Sequence, residues 1–502
     1  MQKILPTTHD LPLFDIAQTR TLERREAASL PVHALMRRAG EAAARLALAI
    51  APHARQVWIA AGPGNNGGDG LEAAIHLLGW GKDVQVSLLG DASAMPADAQ
   101  AALARAQSAG ARIDTSSTAP TEMPQLAIDA LLGVGANRAP LGPIAAAIRA
   151  LNALACPVLA VDLPSGLHTD TGQPLGADCV HATHTLAMLT LKPGLFTGAG
   201  RDHAGEVWLD ALGVDASGDA PRALLSGLHL GADRSPRRHA QHKGSFGDVA
   251  IVGGAPSMRG AALLAARAAH AAGAGRVHVE LLGADANSSA ADPVRPELMF
   301  RDDWSRSAPA VLARSTVVCG CGGGDAVRAP LPRLLSLAAR LVLDADALNA
   351  IANDAALAVL LRARGLRGQA TVLTPHPLEA ARLLGCTTHE VQADRLRAAL
   401  ELVDRFNCVV VLKGSGSVIA APNQAPCINS TGNAALATAG TGDVLAGWLA
   451  GRWAQLPSGD EAAAAFAITR QAVAEHGAGA EPQPRGPLRA ADLIERLYAR
   501  SF

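Results

Sequence analysis

Aromatic side chains are scarce: one Tyr and seven Phe stand among 502 residues. The core must therefore be built mostly from Ala, Leu and Val, with 50 Gly and 30 Pro shaping the chain. Charge imbalance is also missing. The 44 basic and 45 acidic residues leave a net charge of −1, which argues for neither a nucleic-acid nor a membrane surface. No uncharged apolar run is long enough to span a bilayer. The opening Met-Gln-Lys-Ile-Leu-Pro-Thr-Thr-His-Asp holds no apolar signal core. The seven cysteines (156, 179, 319, 321, 386, 408 and 427) form no repeated pair. Cys319-x-Cys321 is the one close couple and no matching ligand pair accompanies it, which argues against zinc. An odd count without a framework fits a reducing cytosol. What is present, 49% hydrophobic and 18% charged residues, reads as a globular chain long enough for two or three domains.

Residues 15–50 read as two helices, with Thr19, Glu23 and Arg24 in the first, a break at Pro31, and Leu35, Met36, Ala39, Ala43, Leu46 and Ala47 at helical spacing in the second. The pattern then changes to a buried strand, Gln56-Val-Trp-Ile-Ala-Ala61, that enters Gly62-Pro-Gly-Asn-Asn-Gly-Gly-Asp-Gly70. A helix over residues 71–80 and a strand at residues 83–89 complete a βαβ unit. Ligands are expected at the carboxyl ends of such strands. Asn65, Asn66, Gly67, Gly68 and Asp69 lack the Gly-x-Gly-x-x-Gly spacing but offer donors and acceptors to a ribose or phosphate; as a plain turn they are ordinary. Two more apolar runs end in polar residues, one carrying Asp129 before Gly133-Val-Gly-Ala-Asn-Arg-Ala139, the other ending in Asp162-Leu-Pro-Ser-Gly166. A carboxylate inside an apolar run needs a partner: a cap, a salt bridge or a cation. Asn66, Asp129 and Ser165 are hard oxygen donors that suit an alkali cation better than zinc, with hydrogen bonding to neighbouring loops as the plainer alternative.

Residues 214–240 are polar and irregular, which places a domain boundary there. Beyond it, strands at 248–252, 276–282, 316–319, 341–344, 370–374 and 409–412 each end in glycine or polar residues, with helical stretches between. That plan is a doubly wound α/β domain. Its strand ends offer Gly320-Cys-Gly-Gly-Gly324, Asp344 and Asp346 with Asn349, His376 between two prolines, and Lys413-Gly-Ser-Gly-Ser417. Lys413 beside Gly414 and Gly416 suits a phosphate, or simply snorkels. The stretch with most chemistry is Gly440-Thr-Gly-Asp443. Its glycines allow a tight turn. A helix starting near Asp443 aims N–H groups and the dipole at one place and favours an anionic general base. Read alone, the same residues make a capped turn.

Taken in order, Gly64-Asn-Asn-Gly-Gly-Asp-Gly70, Asp129-Ala-Leu-Leu-Gly-Val-Gly135, Asp162-Leu-Pro-Ser-Gly166 and Lys192-Pro-Gly194 resemble the NAD(P)H-hydrate epimerase family. His242-Lys-Gly-Ser-Phe-Gly247, Asp344-Ala-Asp-Ala-Leu-Asn349, Thr374-Pro-His-Pro-Leu-Glu379, Lys413-Gly-Ser-Gly-Ser417 and residues 429–447 resemble the NAD(P)H-hydrate dehydratase family. The resemblance implies a Rossmann-like three-layer domain over residues 1–215 and a ribokinase-like domain over residues 225–502. In the first, Asn65, Asn66, Gly67, Gly68, Asp69, Gly133, Val134, Gly135, Ala136, Asn137, Arg138, Ala139 and Asp162 would contact the hydrated nicotinamide nucleotide. Asn66, Asp129 and Ser165 would hold potassium, and Asp162 would move protons. In the second, Ala261, Gly324, His376 and Asp443 would face the hydrate, with Asp443 as base. Lys413, Gly414, Ser415, Gly416, Ser417 and Gly442 would bind ADP or ATP with Mg²⁺. The family's usual Gly-Pro-Gly-Leu-Gly loop reads Gly320-Cys-Gly-Gly-Gly324 here, and Leu378 stands where glycine is frequent.

The reading implied is a bifunctional cytoplasmic enzyme, a homo-oligomer, that epimerises the R and S hydrates of NADH and NADPH and dehydrates the S form at the expense of ADP. A vitamin-precursor kinase would explain Gly440 to Asp443 but leave the N-terminal half without a task. A nucleotide-binding regulator would leave Asp443 and Lys413 without one.

Overall fold

The computed structural model describes residues 1–228, 237–283, 291–457, 461–482 and 486–500. The chain divides into two compact units: Met1–Leu5 with Leu11–Leu225, and Pro6–Asp10 with Ser226–Phe502.

The first unit is a sheet between helices. Its strands are β1 (Gln2–Lys3), β2 (Leu11–Leu13), β3 (Gln56–Ala61), β4 (Asp83–Leu88), β5 (Arg112–Asp114), β6 (Leu126–Ala130), β7 (Val158–Val161), β8 (His184–Met188) and β9 (Glu206–Asp210). The order β1-β9-β8-β7-β6-β3-β4-β5 is parallel from β9 through β5, with β1 antiparallel at its edge and β2 outside this sheet. The chain runs outward from β3 to β5 on one side and from β6 to β9 on the other. The reversal lies between β3 and β6, where a doubly wound sheet opens a crevice at its carboxyl ends. Helix Ala34–Ile50 covers one face through Ala39, Ala43, Leu46 and Ala47; Ile148, Leu151 and Val180 help fill the other.

The sequence pattern places the glycine-rich residues after β3 in a loop, with a helix following. The structure corrects this: Asn65–Gly79 is one helix beginning immediately after Gly64. Glycine is there for close packing, not for a turn. A Cβ on Gly67 would stand 1.9 Å from the Gly62 carbonyl oxygen, and one on Gly70 2.6 Å from Ala130. The helix N-terminus therefore sits directly at the end of β3 and beside β6.

The stretch expected to be an irregular linker, residues 214–240, contains β10 (Ala223–Ser226), which pairs antiparallel with β2; residues 229–236 lie outside the described residues. Pro6–Asp10 is clustered with the second unit, where the Thr7 carbonyl accepts from the Leu228 N–H at 2.9 Å and the Asp10 carboxylate from the Gly227 N–H at 3.1 Å.

The second unit contains β11 (Asp248–Gly253), β12 (Arg276–Leu281), β13 (Met299–Phe300), β14 (Ser315–Cys319), β15 (Arg340–Leu343), β16 (Thr371–Leu373), β17 (Val409–Leu412), β18 (Val418–Ala420) and β19 (Cys427–Asn429). Its order β13-β12-β11-β14-β15-β16-β17-β18-β19 is parallel up to β17 and antiparallel beyond. The reversal falls between β11 and β14. Helix Thr441–Ala454 packs tightly on helix Arg259–Ala271: Cβ atoms on Gly447 and Gly451 would stand 1.9 and 2.3 Å from the carbonyl oxygens of Ala265 and Ala269. With so few rings available, small residues bring backbones together.

Candidate active sites

In the first unit, the ends of β3, β6 and β7 converge. Asp129, fully buried on β6, accepts from the Ser165 hydroxyl at 2.6 Å, the Ser165 N–H at 2.8 Å and the Leu131 N–H at 3.2 Å. These donors are all neutral. Burial pushes the carboxyl up to about 6, and the Ser165 and Leu131 bonds pull it back. Ser165 also binds Leu132, whose N–H donates to its Oγ at 2.8 Å. Asn66, in the first turn of helix Asn65–Gly79, lies against Gly133; its buried amide nitrogen has no hydrogen-bond partner. The protein thus leaves the Asn66 amide free to present either its oxygen or its nitrogen.

Asp162 follows β7 with φ 68°, the left-handed region that few side chains other than Asn and Asp adopt readily. Its carboxylate accepts from the ammonium of Lys192, 1% exposed, which also donates to the Met188 carbonyl at 2.7 Å. Two further carboxyls are electrostatically coupled to Asp162. Burial raises Asp69 well above its ordinary range, with Asp162 and Glu23 adding to the effect, and burial followed by Asp162 raises Glu23. The pair Asp162–Lys192 therefore stands beside carboxyls that are held toward their protonated forms. Gly135, Asn137, Arg138 and Ala139 form an exposed rim, with Gly133, Val134 and Ala136 half-buried behind it. The Arg20 guanidinium lies over Gly135, 2.7 Å from where a Cβ would be.

In the second unit the convergence is tighter. Ala345, between Asp344 and Asp346, takes φ 49° and ψ −114°, a conformation an alanine holds only where its surroundings impose it. Asp344, 1% exposed, accepts from the Lys413 ammonium at 2.7 Å. Asp346 accepts from the Gly324 N–H at 2.9 Å. Gly440, with φ 91°, starts helix Thr441–Ala454, so the helix opens at Thr441 and places Asp443 in its first turn. Gly442 lies against the site: a Cβ there would stand 3.2 Å from the Lys413 Nζ. The Cys321 Sγ and carboxylate oxygens of Asp344 and Asp443 all lie within 4.8 Å of one another.

Burial, then repulsion from Asp344, pushes Asp443 up to about 6, while Cys321 and Lys413 hold it down. Burial alone would lower Lys413, but the Asp344 and Glu379 carboxylates outweigh it and leave the ammonium above its ordinary value. His376 caps helix Pro377–Leu384: its Nδ1 accepts from the Leu378 and Glu379 N–H groups at 3.1 and 3.3 Å. The proton of the neutral ring is thereby on Nε2, which faces the Glu379 carboxylate at 3.1 Å. Burial pushes Glu379 up to about 7 and depresses His376.

Lys413, Gly414, Ser415, Gly416 and Ser417 form a turn after β17 with Gly414 at φ 137° and Gly416 at φ 57°. Arg395, 1% exposed, underpins it by donating to the Leu412 and Lys413 carbonyls at 3.1 and 3.2 Å. Ala261 and Met258 lie against Gly322, and Gly324 lies against Met258 and Ala255. Asn349 is engaged elsewhere, by Arg382 at 2.7 Å. Cys321, Glu379, Arg395, Lys192 and Glu23 escape sequence reasoning as functional residues, although Lys192 and Glu379 lie within recognised motifs. Lys192 meets Asp162 and Arg395 meets Leu412 only through the fold, whereas Glu379 pairs with His376 three residues away in a capping box that the sequence does show.

Two family models match this chain. Residues 32–194 match the YjeF-related protein N-terminus, and residues 249–495 match NAD(P)H-hydrate dehydratase. A bifunctional NAD(P)H-hydrate repair enzyme of Escherichia coli (strain K12) is 38% identical over 90% of this chain and 87% of its own. One from Coxiella burnetii is 35% identical over 97% of this chain and 98% of its own. Among solved structures, an ADP/ATP-dependent NAD(P)H-hydrate dehydratase from Bacillus subtilis, co-crystallised with ATP and Mg²⁺, is 28% identical. It covers 54% of this chain and 95% of its own, with a TM-score of 0.43.

Proposed function

Because the chain belongs to the family of bifunctional NAD(P)H-hydrate repair enzymes, with an epimerase and a dehydratase domain, we propose that each α/β unit carries one reaction at its strand ends. The first interconverts the R and S hydrates around Asp162. The second dehydrates the S form around Asp443. The observation that supports this division most is the cluster of Lys413, Asp344, Gly442 and Asp443 at the ends of β15 and β17 and the start of a helix. It joins a cation, a base and free helical N–H groups, the parts phosphoryl transfer needs.

In the dehydratase, Asp443 removes the proton of the hydrate hydroxyl. The resulting oxygen attacks the terminal phosphorus of the nucleotide, and the bond to the departing nucleotide breaks. The phosphorylated hydroxyl then leaves as phosphate while the neighbouring ring carbon gives up a proton to solvent, and the new double bond restores the dihydronicotinamide ring. Lys413 and the backbone from Gly414 to Ser417, with Gly442, neutralise the phosphates. Ala261, Gly324 and His376 face the hydrate. ADP is the donor, giving AMP and phosphate; product analysis with ADP and ATP in parallel tests that choice. Mg²⁺ would be held mainly by nucleotide phosphate oxygens and water, since the turn supplies N–H groups and hydroxyls rather than carboxylates; it would supply charge neutralisation. Lys413→Ala should raise the nucleotide KM by roughly 10- to 100-fold, because a charge-assisted contact is removed. It also strands buried Asp344, so thermal stability should fall. Unchanged nucleotide affinity would move the nucleotide away from this turn.

In the epimerase, Asn65, Asn66, Gly67, Gly68 and Asp69, with the Gly133 to Ala139 loop, bind the hydrated nucleotide. Asp162 relays the proton, with Lys192 holding its carboxylate. Asn66, Asp129 and Ser165 suit potassium: the Asp129 carboxylate is buried among neutral donors, and the adjoining Asn66 amide is unfixed. The ion would supply positive charge that organises these strand ends. Asp129→Asn should remove the dependence of epimerisation on KCl over LiCl. If the variant keeps wild-type potassium dependence, the ion binds elsewhere. Among the described residues no helix is long and apolar enough to cross a membrane. The cysteines are unpaired, which supports work in a reducing cytoplasm.

A further inference from the structure

We propose that Arg20 is a substrate-binding residue of the epimerase, whose guanidinium grips the pyrophosphate of the hydrated dinucleotide beside the Gly133 to Ala139 loop. The inference rests on the reading of the first unit as the epimerase and adds a residue that stands outside every sequence motif.

Helix Ile16–Ala27 is fastened so that Arg20 reaches this loop. Asp15 caps the helix start, accepting from the Gln18 N–H at 2.8 Å. The Ile16 N–H donates to the Asp170 carboxylate at 3.0 Å. The buried hydroxyls of Thr19 and Thr190 meet at 2.9 Å, and Thr190 stands just before Lys192, the partner of Asp162. Arg20, the next residue of the helix, extends over Gly135, its Nη2 2.7 Å from where a Cβ would be. The absence of a side chain at Gly135 gives the guanidinium its place.

No anion of the protein holds it there. The other arginines of the helix are engaged: Arg25 pairs with Asp219 at 3.0 Å and Glu26 at 2.9 Å, and Arg24 donates to the Arg20 carbonyl at 3.2 Å. The Arg20 guanidinium has neither a hydrogen bond nor an ion pair among the described residues. Glu23, one turn on, does not supply one, because burial and then Asp162 hold its carboxyl toward the protonated form. The same loop has a second free group at Gly133, which lies against Asn66, whose buried amide nitrogen has no partner. Asn66 is in the first turn of helix Asn65–Gly79, whose start no side chain caps. Its leading N–H groups are therefore open and favour an anion. A hydrated dinucleotide carries its central charge on the pyrophosphate, and a guanidinium fork matches two phosphate oxygens at once. The 2′-phosphate of the NADPH form lies at the adenosine end, away from the reacting ring. Arg20 is instead close to the catalytic end, between the helix turn that carries Thr19 and the loop against Asn66.

The test is conversion of S hydrate to R hydrate by the full chain with neither ADP nor ATP present, so that the dehydratase is idle and chromatography follows the R product. Arg20→Gln should raise the KM for NADH hydrate by roughly 10- to 100-fold, the loss of a charge-assisted contact. The KM for NADPH hydrate should rise by the same factor, and kcat should change far less. Arg20 is an exposed helix residue, and S-hydrate dehydration by the same preparation, once ADP is added, should run as in wild type and report an intact chain. An unchanged KM for both hydrates overturns the proposal. So does a rise confined to NADPH hydrate, which puts the guanidinium on the 2′-phosphate, and so does a fall in kcat with KM unmoved. A wild-type chain that interconverts neither hydrate would instead sink the epimerase reading itself.

Discussion

Asp443→Asn should abolish S-hydrate dehydration while leaving nucleotide binding largely intact. The amide matches the carboxylate in shape but cannot take a proton, and loss of a general base costs roughly 10²–10⁴ in rate. Lys413 and the turn to Ser417 are untouched, so equilibrium nucleotide affinity should hold. Stability should hold too. The native charge at Asp443 is opposed by burial and by Asp344, and a neutral side chain relieves both. Wild-type turnover, followed at the absorbance of recovered NADH, needs the ionised carboxylate. It should therefore fall as pH drops through about 6, the value to which burial raises Asp443. The residual rate of Asp443→Asn should show no such limb. An Asn variant that dehydrates at the wild-type rate would remove Asp443 from the chemistry.

The parts of these sites legible in sequence are those written locally. Gly440-Thr-Gly-Asp443 announces its turn and carboxylate in four residues. Lys413 and His376 are visible because each follows an apolar run, and strand ends are where a doubly wound sheet binds ligands. The α/β architecture of both halves is legible for the same reason, since alternating apolar strands and helices dictate it; the Rossmann-like and ribokinase-like types are what the resemblance of the motifs implies. The helix at Asn65 is not legible. Its glycines read as a turn until the Gly62 carbonyl and Ala130 are seen pressed against them, contacts that depend on how β3 and β6 lie side by side. The place of Cys321 is hidden by a larger gap, for Asp443, whose carboxylate lies within 4.8 Å of its Sγ, stands more than a hundred residues onward. Arg395 looks like an ordinary helix residue until its guanidinium is found under Gly414.

Asp162→Asn in the full chain should stop epimerisation and leave dehydration of the S hydrate at its wild-type rate. A mixed R and S sample would then be consumed only in its S half, and the remainder would wait for spontaneous epimerisation. Asparagine is the informative replacement. Asp162 sits at φ 68°, where alanine would be strained and asparagine is tolerated. The amide keeps an oxygen for the Met188 N–H and for Lys192 while losing the carboxylate that accepts protons. The Lys192 ammonium, 1% exposed, loses its charged partner, so thermal stability should fall; folding must be confirmed before rates are compared. Loss of the proton acceptor should cost epimerisation roughly 10²–10⁴. A chain of residues 225–502 is a less clean version of the test, although the second unit carries a full dehydratase set. It lacks Pro6–Asp10, and with it the ion pair of Asp10 with Arg470 and the bond from the Gly227 N–H. That loss lowers stability for reasons unrelated to epimerisation. The point substitution avoids it, and Asp443 remains as in wild type. If folded Asp162→Asn clears both hydrates as fast as the parent enzyme, the proton transfer of the first unit runs through another group, and Glu23 or Asp69 becomes the carboxyl to substitute next.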